Sequence, residues 1–370
     1  MAEPLIEVKD LRIEFDIREG IVKAVDGFTL TINRGETVGV IGESGCGKSV
    51  TARAILNMVP KPGKVVNGEI LYHRRRNNGQ TDIIDLTKID PDGEVIRQIR
   101  GGEIGMIFQE PMSSLTPVYT TGTLINEAIS LHRLSPLQKV GAQIIENVQA
   151  HRKLSKAEAR EIAIEMLRKV GIPKPAERVD SYPHQLSGGQ RQRVMIAIAL
   201  SCEPAMLIAD EPTTALDVSI EAQILDIMRD LQESSNMAIM FITHNLGVVA
   251  SMAHEIVVMY MGRAVERAKV KDLFYNPKHP YTQSLLQSIP QLGKKKVGGR
   301  LASIKGSVPS PFNLPTGCVF HPRCPAFMPG KCDKIAPTWQ AVDRDHWTSC
   351  LLYEEAGKAQ AAAQTMEAVR

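Results

Sequence analysis

The chain has 370 residues, enough for one large domain and a smaller one, and its 43% hydrophobic and 23% charged residues are typical of a globular protein. The net charge of +3 is too small to indicate nucleic-acid or membrane-surface binding by itself. The start, MAEPLIEVKDLRIEF, lacks signal-peptide character and no apolar run reaches the ~18 residues of a spanning helix, so we expect an intracellular protein without disulfides.

Strand-like and helix-like patterns alternate along roughly the first 270 residues, which predicts a layered α/β domain. Three apolar runs that end in glycine or polar residues are typical of buried parallel strands: ETVGVIG (36–42), AMLIAD (205–210) and MAIMFITH (237–244). Ser155 and Glu158 form a predicted capping box for one helix. The apolar spacing of SIEAQILDIMRDLQESS predicts another helix, packed on the sheet.

GESGCGKS (42–49) fits the P-loop pattern G-x-x-x-x-G-K-[ST], between a predicted strand and a predicted helix. Its glycines allow backbone N–H groups to surround phosphate oxygens at a helix N-terminus. We expect Lys48 to reach the β- and γ-phosphates and the Ser49 hydroxyl to ligate Mg²⁺. The predicted ATP-binding residues of this segment are Gly42, Glu43, Ser44, Gly45, Cys46, Gly47, Lys48, Ser49 and Val50.

Two further motifs extend this phosphate chemistry. LIADEP (207–212) ends an apolar run with two carboxylates, of which Asp210 is expected to hold Mg²⁺ through water and Glu211 to polarise the attacking water. QLSGGQRQRV (185–194) opens a helix with the Ser187 hydroxyl and backbone N–H groups, which favour an anion. Because the P-loop already holds the nucleotide, we expect this second turn to contact the γ-phosphate bound to a different subunit.

Together these motifs resemble the ATP-binding-cassette (ABC) ATPases, whose signature loop reads LSGGQ. The resemblance implies an α/β P-loop NTPase fold with a RecA-like core, an antiparallel β subdomain and a helical subdomain. It implies that Phe15 stacks on adenine and that Gln109, in MIFQEP, couples the metal and water to the membrane partner. His244, in FITH, would be the switch histidine, and Asp217, in ALD, would cross the dimer interface.

The resemblance thus assigns residues to four roles. The catalytic group is Glu211, His244 and Gln109. Magnesium would be held by Ser49, Gln109 and Asp210. Phe15, Gln109 and Asp210 complete the ATP-binding set. The signature contacts to the nucleotide of the other subunit would be made by Leu186, Ser187, Gly188, Gly189, Gln190 and Asp217.

Longer segments are similar to the ATPase subunits of the dipeptide/oligopeptide (and nickel) importers across nearly the whole chain. They are MSSLTPVYTTG (112–122), NPKHPYTQSLLQSIP (276–290) and GSVPSPFNLPTGCVFHPRC (306–324). The implied protein is a D-type ATP-hydrolysing subunit, peripheral on the cytoplasmic face of the bacterial membrane. Its implied partners are two transmembrane permeases, a related second ATPase and, indirectly, a substrate-binding protein, with no nucleic acid.

Two alternatives remain open at this point. One is an importer of another solute, such as nickel, an oligosaccharide or an opine, because the permeases and binding protein select the substrate. The other is a soluble cassette ATPase that acts on nucleic acid or ribosomes, for which the basic runs HRRRNNG (73–79) and GKKKVGG (293–299) would be the contacts.

Prolines crowd the chain after about residue 275, which predicts a domain boundary. We predict an ABC ATPase domain at 1–275, a C-terminal extension at 276–355 and a disordered tail at 356–370. Cys318, Cys324, Cys332 and Cys350 lie in the extension with 5, 7 and 17 residues between them.

This cysteine spacing is wider than that of zinc knuckles and favours iron–sulfur ligation by loops. The family resemblance implies a [4Fe–4S] cluster on the four cysteines, in a small irregular metal-binding module. Zinc and free thiols are the alternatives. His321 and His346 are nearby and could replace one of the ligands, but they are interpreted as surface residues.

Overall fold

The computed structural model describes residues 3–76, 79–108, 134–135, 137–213, 218–288 and 304–354. One of its two sheets is antiparallel, with strand order β2-β1-β4-β5. Its strands are β1 (Pro4–Ile17), β2 (Gly20–Asn33), β4 (Gly63–Arg75) and β5 (Thr81–Asp85). The long β1–β2 hairpin bears apolar residues on one face, and that face covers the second sheet.

The second sheet is the centre of the molecule and has the strand order β11-β12-β10-β9-β3-β8-β7-β6. Its strands are β3 (Thr37–Ile41), β6 (Ile104–Ile107), β7 (Met206–Asp210), β8 (Ala238–Ile242), β9 (Glu255–Tyr260), β10 (Arg263–Lys269), β11 (Gln340–Asp343) and β12 (His346–Thr348). The five strands from β9 to β6 are parallel, and the remaining three pair antiparallel. The three buried strands predicted from apolar runs are therefore confirmed.

The helices of the described residues flank this sheet. They are α1 (Lys48–Ile55), α2 (Glu94–Ile99), α3 (Val140–His151), α4 (Lys156–Lys169), α5 (Pro175–Arg178), α6 (Gly188–Leu200), α7 (Val218–Ser235), α8 (Leu246–Met252), α9 (Val270–Tyr275) and α10 (Pro280–Gln287). The predicted capping box of α4 is confirmed, because the Glu158 N–H donates to Ser155 Oγ and the Ser155 N–H donates to Glu158. Within the described ranges, none of the helices has the length and apolarity to cross a bilayer.

Apolar side chains cover both faces of the parallel strands, as expected for a sheet between two layers. Met240 of β8 packs in the core beneath the antiparallel sheet, whereas its neighbour Phe241 packs in the core formed with α3, α4 and α6. The P-loop helix α1 belongs to the first of these cores and α6 to the second. The two predicted phosphate-binding helices thus lie on opposite faces of one sheet.

The C-terminal segment, of which residues 276–288 and 304–354 are described and which bears the four cysteines, extends the central sheet. β12 pairs antiparallel with β10, so that Glu266 lies opposite Thr348, and β11 adds the edge strand. A third core under this end contains the aromatic rings of Tyr260, Tyr281 and Phe320, whose centroids are 4.7–5.3 Å apart. The cysteine-bearing segment is therefore packed on the ATPase sheet.

A buried hydrogen-bond network of Glu266 and His346 joins this segment to strand β10. Glu266 on β10 is fully buried and accepts hydrogen bonds from His346 Nε2 at 2.7 Å and from the backbone N–H groups of Lys278 and His279 at 2.6 and 3.0 Å. Burial lowers the pKa of His279 to about 4, which leaves a neutral ring whose Nδ1 accepts from the Tyr281 N–H. The interpretation of His346 as a surface residue is wrong: it is 1% exposed, and its ring is hydrogen-bonded to the buried Glu266.

Candidate nucleotide-binding and hydrolysis site

The P-loop joins the end of β3 to the start of α1. Gly47 is the N-cap of α1 and has φ 101°, a left-handed conformation that favours glycine. A Cβ at this position would lie 2.3 Å from the carbonyl oxygen of Ala24 on β2. The local sequence therefore requires glycine here both for conformation and for the close approach of the β1–β2 hairpin.

Lys48 is 7% exposed, and its ammonium group is held by the loop itself. Nζ donates to the carbonyl oxygens of Gly42 at 2.8 Å and Glu43 at 3.0 Å, and it lies 3.7 Å from Cys46 Sγ. Burial raises the pKa of the Cys46 thiol, so this cysteine is a neutral packing group beside the lysine. The arrangement places one fixed positive charge inside the loop.

Two of the three proposed magnesium ligands, Ser49 and Asp210, meet at the carboxyl ends of the parallel strands. Ser49 Oγ donates to Asp210 Oδ1 at 3.0 Å, which joins the start of α1 to the end of β7. Asp210 is 1% exposed, burial raises the pKa of its carboxyl, and its Oδ2 has no hydrogen-bond partner among the described residues. A buried carboxylate oxygen beside a hydroxyl suits the oxygen-ligand preference of Mg²⁺, so these residues fit the ion.

Glu211 and His244 also come together, although 33 residues separate them. His244 Nδ1 lies 3.3 Å from Glu211 Oε1, and the Glu211 N–H donates to the Ile242 carbonyl at 2.9 Å. Glu211 has φ 49°, a strained conformation for a residue other than glycine, and such strain concentrates at functional sites. Its carboxylate is 13% exposed, whereas the histidine ring is 66% exposed and faces solvent.

Not every predicted site residue can be placed. Gln109 and Asp217 lie outside the described residues. Phe15 is half-buried on β1, where it pairs with Val22 of the same hairpin that approaches the P-loop, and its ring packs over Gly63. Its stacking on adenine stays a prediction.

The LSGGQ turn forms the N-terminus of α6. Ser187 is the N-cap: its Oγ accepts from the Gln190 N–H at 3.3 Å, and its own N–H donates to Gln190 Oε1 at 3.1 Å. Ser187 and Gly188 are exposed, whereas Leu186 is 5% exposed and anchors the turn in the helical core. A Cβ on Gly188 would meet no atom of the described chain within 4 Å.

Comparison with known proteins identifies the family of this chain. The model of the family described as "ABC transporter" matches residues 25–214 of the chain, which include the P-loop, the LSGGQ turn and the acidic pair. The chain belongs to the ABC transporter family. A second model, "Oligopeptide/dipeptide transporter, C-terminal region", matches residues 265–332. The family and the ATPase activity predicted from the sequence are confirmed.

The ABC family relatives match over nearly their full length. A peptide import ATP-binding protein of Brucella melitensis is 47% identical over 95% of this chain and 98% of its own. AppD of Bacillus subtilis, an oligopeptide transport ATP-binding protein, is 45% identical over 96% of this chain and 99% of its own. DppD of Escherichia coli, a dipeptide transport ATP-binding protein, is 44% identical over 94% and 96%.

Solved ABC cassettes share the fold. The dimeric bacterial cassette MJ0796, solved with ADP and phosphate after hydrolysis, is 26% identical and covers 72% of this chain with a TM-score of 0.56, while 99% of that cassette is matched. The match confirms the ABC ATPase cassette fold with mixed α/β sheets.

The four cysteines of the C-terminal segment line one small cavity. The other residues that line it are His279, Pro280, Phe320, His321, Ala326, Leu351 and Leu352. None of the four forms a disulfide; Cys332 and Cys350 are buried, and Cys318 and Cys324 are half-buried. Burial is the main cause that raises the pKa of Cys318, Cys324 and Cys350, the last to about 12, and the neighbouring cysteines add to each shift.

A metal-binding module is not shown by this geometry. Within the described ranges, no group of three or more histidine, cysteine or acidic side chains stands in metal-holding geometry. The chemistry of the donors nevertheless fits a soft metal centre, because four thiols converge on one apolar cavity.

Sequence reasoning missed the contacts between this segment and the P-loop. Arg323 donates to both carboxylate oxygens of Glu43, and Tyr281 accepts from the Glu43 N–H. More than 200 residues separate Arg323 and Tyr281 from Glu43, so only the folded topology brings them together. The sequence around Arg323 and Tyr281 offers no local signal for these contacts.

Proposed function

We propose that this chain is the ATP-hydrolysing subunit of an importer of dipeptides or oligopeptides across the bacterial cytoplasmic membrane. The observation that carries the proposal is an intact Ser49–Asp210 and Glu211–His244 pairing in a chain that continues into the C-terminal region of the peptide transporters. The relatives named for peptide, oligopeptide and dipeptide transport match the whole of this architecture.

In this function the chain supplies the phosphate site and the water-activating group. Lys48 and the P-loop N–H groups would bind the phosphates, Ser49, Asp210 and Gln109 would hold Mg²⁺, and Glu211 would polarise the attacking water with His244 beside it. Bound Mg²⁺ would neutralise phosphate charge. The fit of Ser49 and of the unpaired Asp210 oxygen supports this assignment.

The proposed assembly contains two permeases and a second ATPase, related to this chain but distinct, on the cytoplasmic face of the membrane. A substrate-binding protein would deliver the peptide from outside.

Deletion of the gene should abolish uptake of labelled di- or oligopeptides, and the wild-type gene should restore it. Affinity purification from solubilised membranes should recover both permeases and the second ATPase. Normal peptide uptake in the deletion strain would contradict the proposal.

The proposed dimer places the LSGGQ turn of one subunit over the nucleotide of the other. Two observations support it: the Gly188 position opens to solvent rather than to its own chain, and the related cassette MJ0796 was solved as a dimer. We therefore expect Gly188→Val to reduce ATP hydrolysis by the assembled importer at least about 100-fold, because the valine would occupy the space that the nucleotide needs.

The same Gly188→Val subunit, purified alone, should bind ATP with unchanged affinity and should melt at the wild-type temperature. Gly188→Ala should give an intermediate loss of hydrolysis. An assembled importer that hydrolyses ATP normally with valine at this position would disprove the contact across the dimer.

We also propose that Cys318, Cys324, Cys332 and Cys350 hold a [4Fe–4S] cluster, with Zn²⁺ as the competing occupant. Their convergence on one cavity supports the proposal. Bound metal would supply the cross-link that this segment, with its short strands, otherwise lacks.

Protein purified without oxygen should therefore contain about four iron atoms per chain and absorb blue light, and dithionite should bleach that band. Cys332→Ser should remove the iron and the colour. Cys202→Ser is the matched control, since Cys202 is a buried cysteine just after the end of α6, beside Asn147 and outside this group, and it should leave both unchanged. Stoichiometric zinc in colourless protein would exclude the iron–sulfur cluster.

A further inference from the structure

One buried arginine joins the cysteine-bearing segment to the P-loop. Arg323 closes the 3₁₀ turn between Cys318 and Cys324, and its Nη1 and Nη2 donate to Glu43 Oε2 and Oε1 at 2.7 and 3.0 Å. The arginine side chain is 4% exposed and the glutamate side chain 26%. Such a bidentate, largely desolvated pair fixes geometry far better than an exposed ion pair does.

A second contact reaches the backbone of the same P-loop residue. The Glu43 N–H donates to Tyr281 Oη at 3.0 Å, and the Tyr281 ring is fully buried against Tyr260 and Phe320. Arg323 Nη1 also donates to Tyr260 Oη at 3.3 Å. The C-terminal segment therefore holds Glu43 by its side chain and by its backbone.

The position of Glu43 matters because its carbonyl oxygen is one of the two that accept from Lys48 Nζ. A displaced Glu43 would move this carbonyl and the loop N–H groups beside it. A loop that must be ordered when the ligand arrives binds more weakly than one ordered beforehand.

We propose that Arg323 is a positioning residue for nucleotide binding, through which the cysteine-bearing segment sets the affinity of the P-loop for ATP. The proposal rests on the proposed function as an ATPase subunit and adds a regulatory connection to it. An ordered segment keeps Glu43 in place and gives full affinity. Any change that loosens the turn at Arg323, including replacement of a neighbouring cysteine, weakens nucleotide binding at a site built by other elements.

The test is a double-mutant cycle on the purified full-length chain, with the dissociation constant of trinitrophenyl-ATP as the readout. Arg323→Gln and Glu43→Gln should each weaken binding about tenfold, and the double variant should be no weaker than the weaker single variant, because both remove the same pair. Arg344→Gln is the matched control on the exposed turn between β11 and β12, and its affinity should be unchanged.

Hydrogen exchange of residues 42–49 in the nucleotide-free protein provides a second readout. Arg323→Gln should speed exchange there. Cys332→Ser should likewise speed exchange and weaken ATP affinity. The combination of the two substitutions should weaken ATP affinity no further than either alone. Wild-type affinity in Glu43→Gln, or additive effects in the double variant, would overturn the proposal. If the wild-type chain itself bound no ATP, the proposed ATPase function would fail instead.

Discussion

Replacing Glu211 with glutamine should nearly abolish ATP hydrolysis while leaving ATP binding intact. Glutamine has almost the same size and keeps one carbonyl oxygen near His244, so the site should retain its shape. It cannot accept a proton from the attacking water, and general-base groups contribute about 10²- to 10⁴-fold to rates. We therefore expect the turnover number to fall by at least ~100-fold.

The same variant should accumulate an ATP-bound dimer, because closure on ATP no longer ends in hydrolysis. Size-exclusion chromatography of the ATPase pair with ATP and Mg²⁺ should show this species, and filter binding should show near-normal nucleotide affinity. Glu233→Gln makes the same chemical change at an exposed position on α7 and should hydrolyse ATP like the wild type. Normal turnover in Glu211→Gln would refute the role given to this carboxylate.

The local geometry of this site can be predicted from the sequence where neighbouring residues determine it. The P-loop, the acidic pair at the end of β7 and the cap formed by Ser187 each depend on residues within a few positions, and each motif carries its own structural context. His244 was assigned through the family resemblance, and it lies beside Glu211 because β8 pairs with β7. Apolar runs likewise predicted β3, β7 and β8, since strands covered on both faces are apolar throughout.

The long-range polar contacts could not be predicted in the same way. Arg323 and Glu43 are 280 residues apart, and nothing in the composition around either residue identifies the other. His346 illustrates the same limit, because a lone histidine among polar residues is usually exposed. It is buried here only because β12 pairs with β10 and sets the ring 2.7 Å from Glu266.

This buried Glu266 should be the most sensitive polar position for the stability of the C-terminal segment. Substituting alanine would leave His346 and two backbone N–H groups, of Lys278 and His279, without their acceptor in the protein interior. Leaving one buried donor without its acceptor costs about 1–3 kcal/mol, so the loss of the acceptor for several donors should cost about 3–5 kcal/mol. We expect Glu266→Ala to lower the unfolding free energy of this segment by that amount.

Tryptophan fluorescence during urea unfolding measures this loss directly, because both tryptophans of the chain, Trp339 and Trp347, lie in the C-terminal segment. Asp345→Asn is the control: its ion pair with Lys269 is solvent-exposed, and such pairs contribute about 0–1 kcal/mol. The Glu266→Ala transition should therefore move to clearly lower urea while the control stays near the wild type. Equal midpoints for Glu266→Ala and the wild type would show that the buried network does not hold this segment on the ATPase sheet.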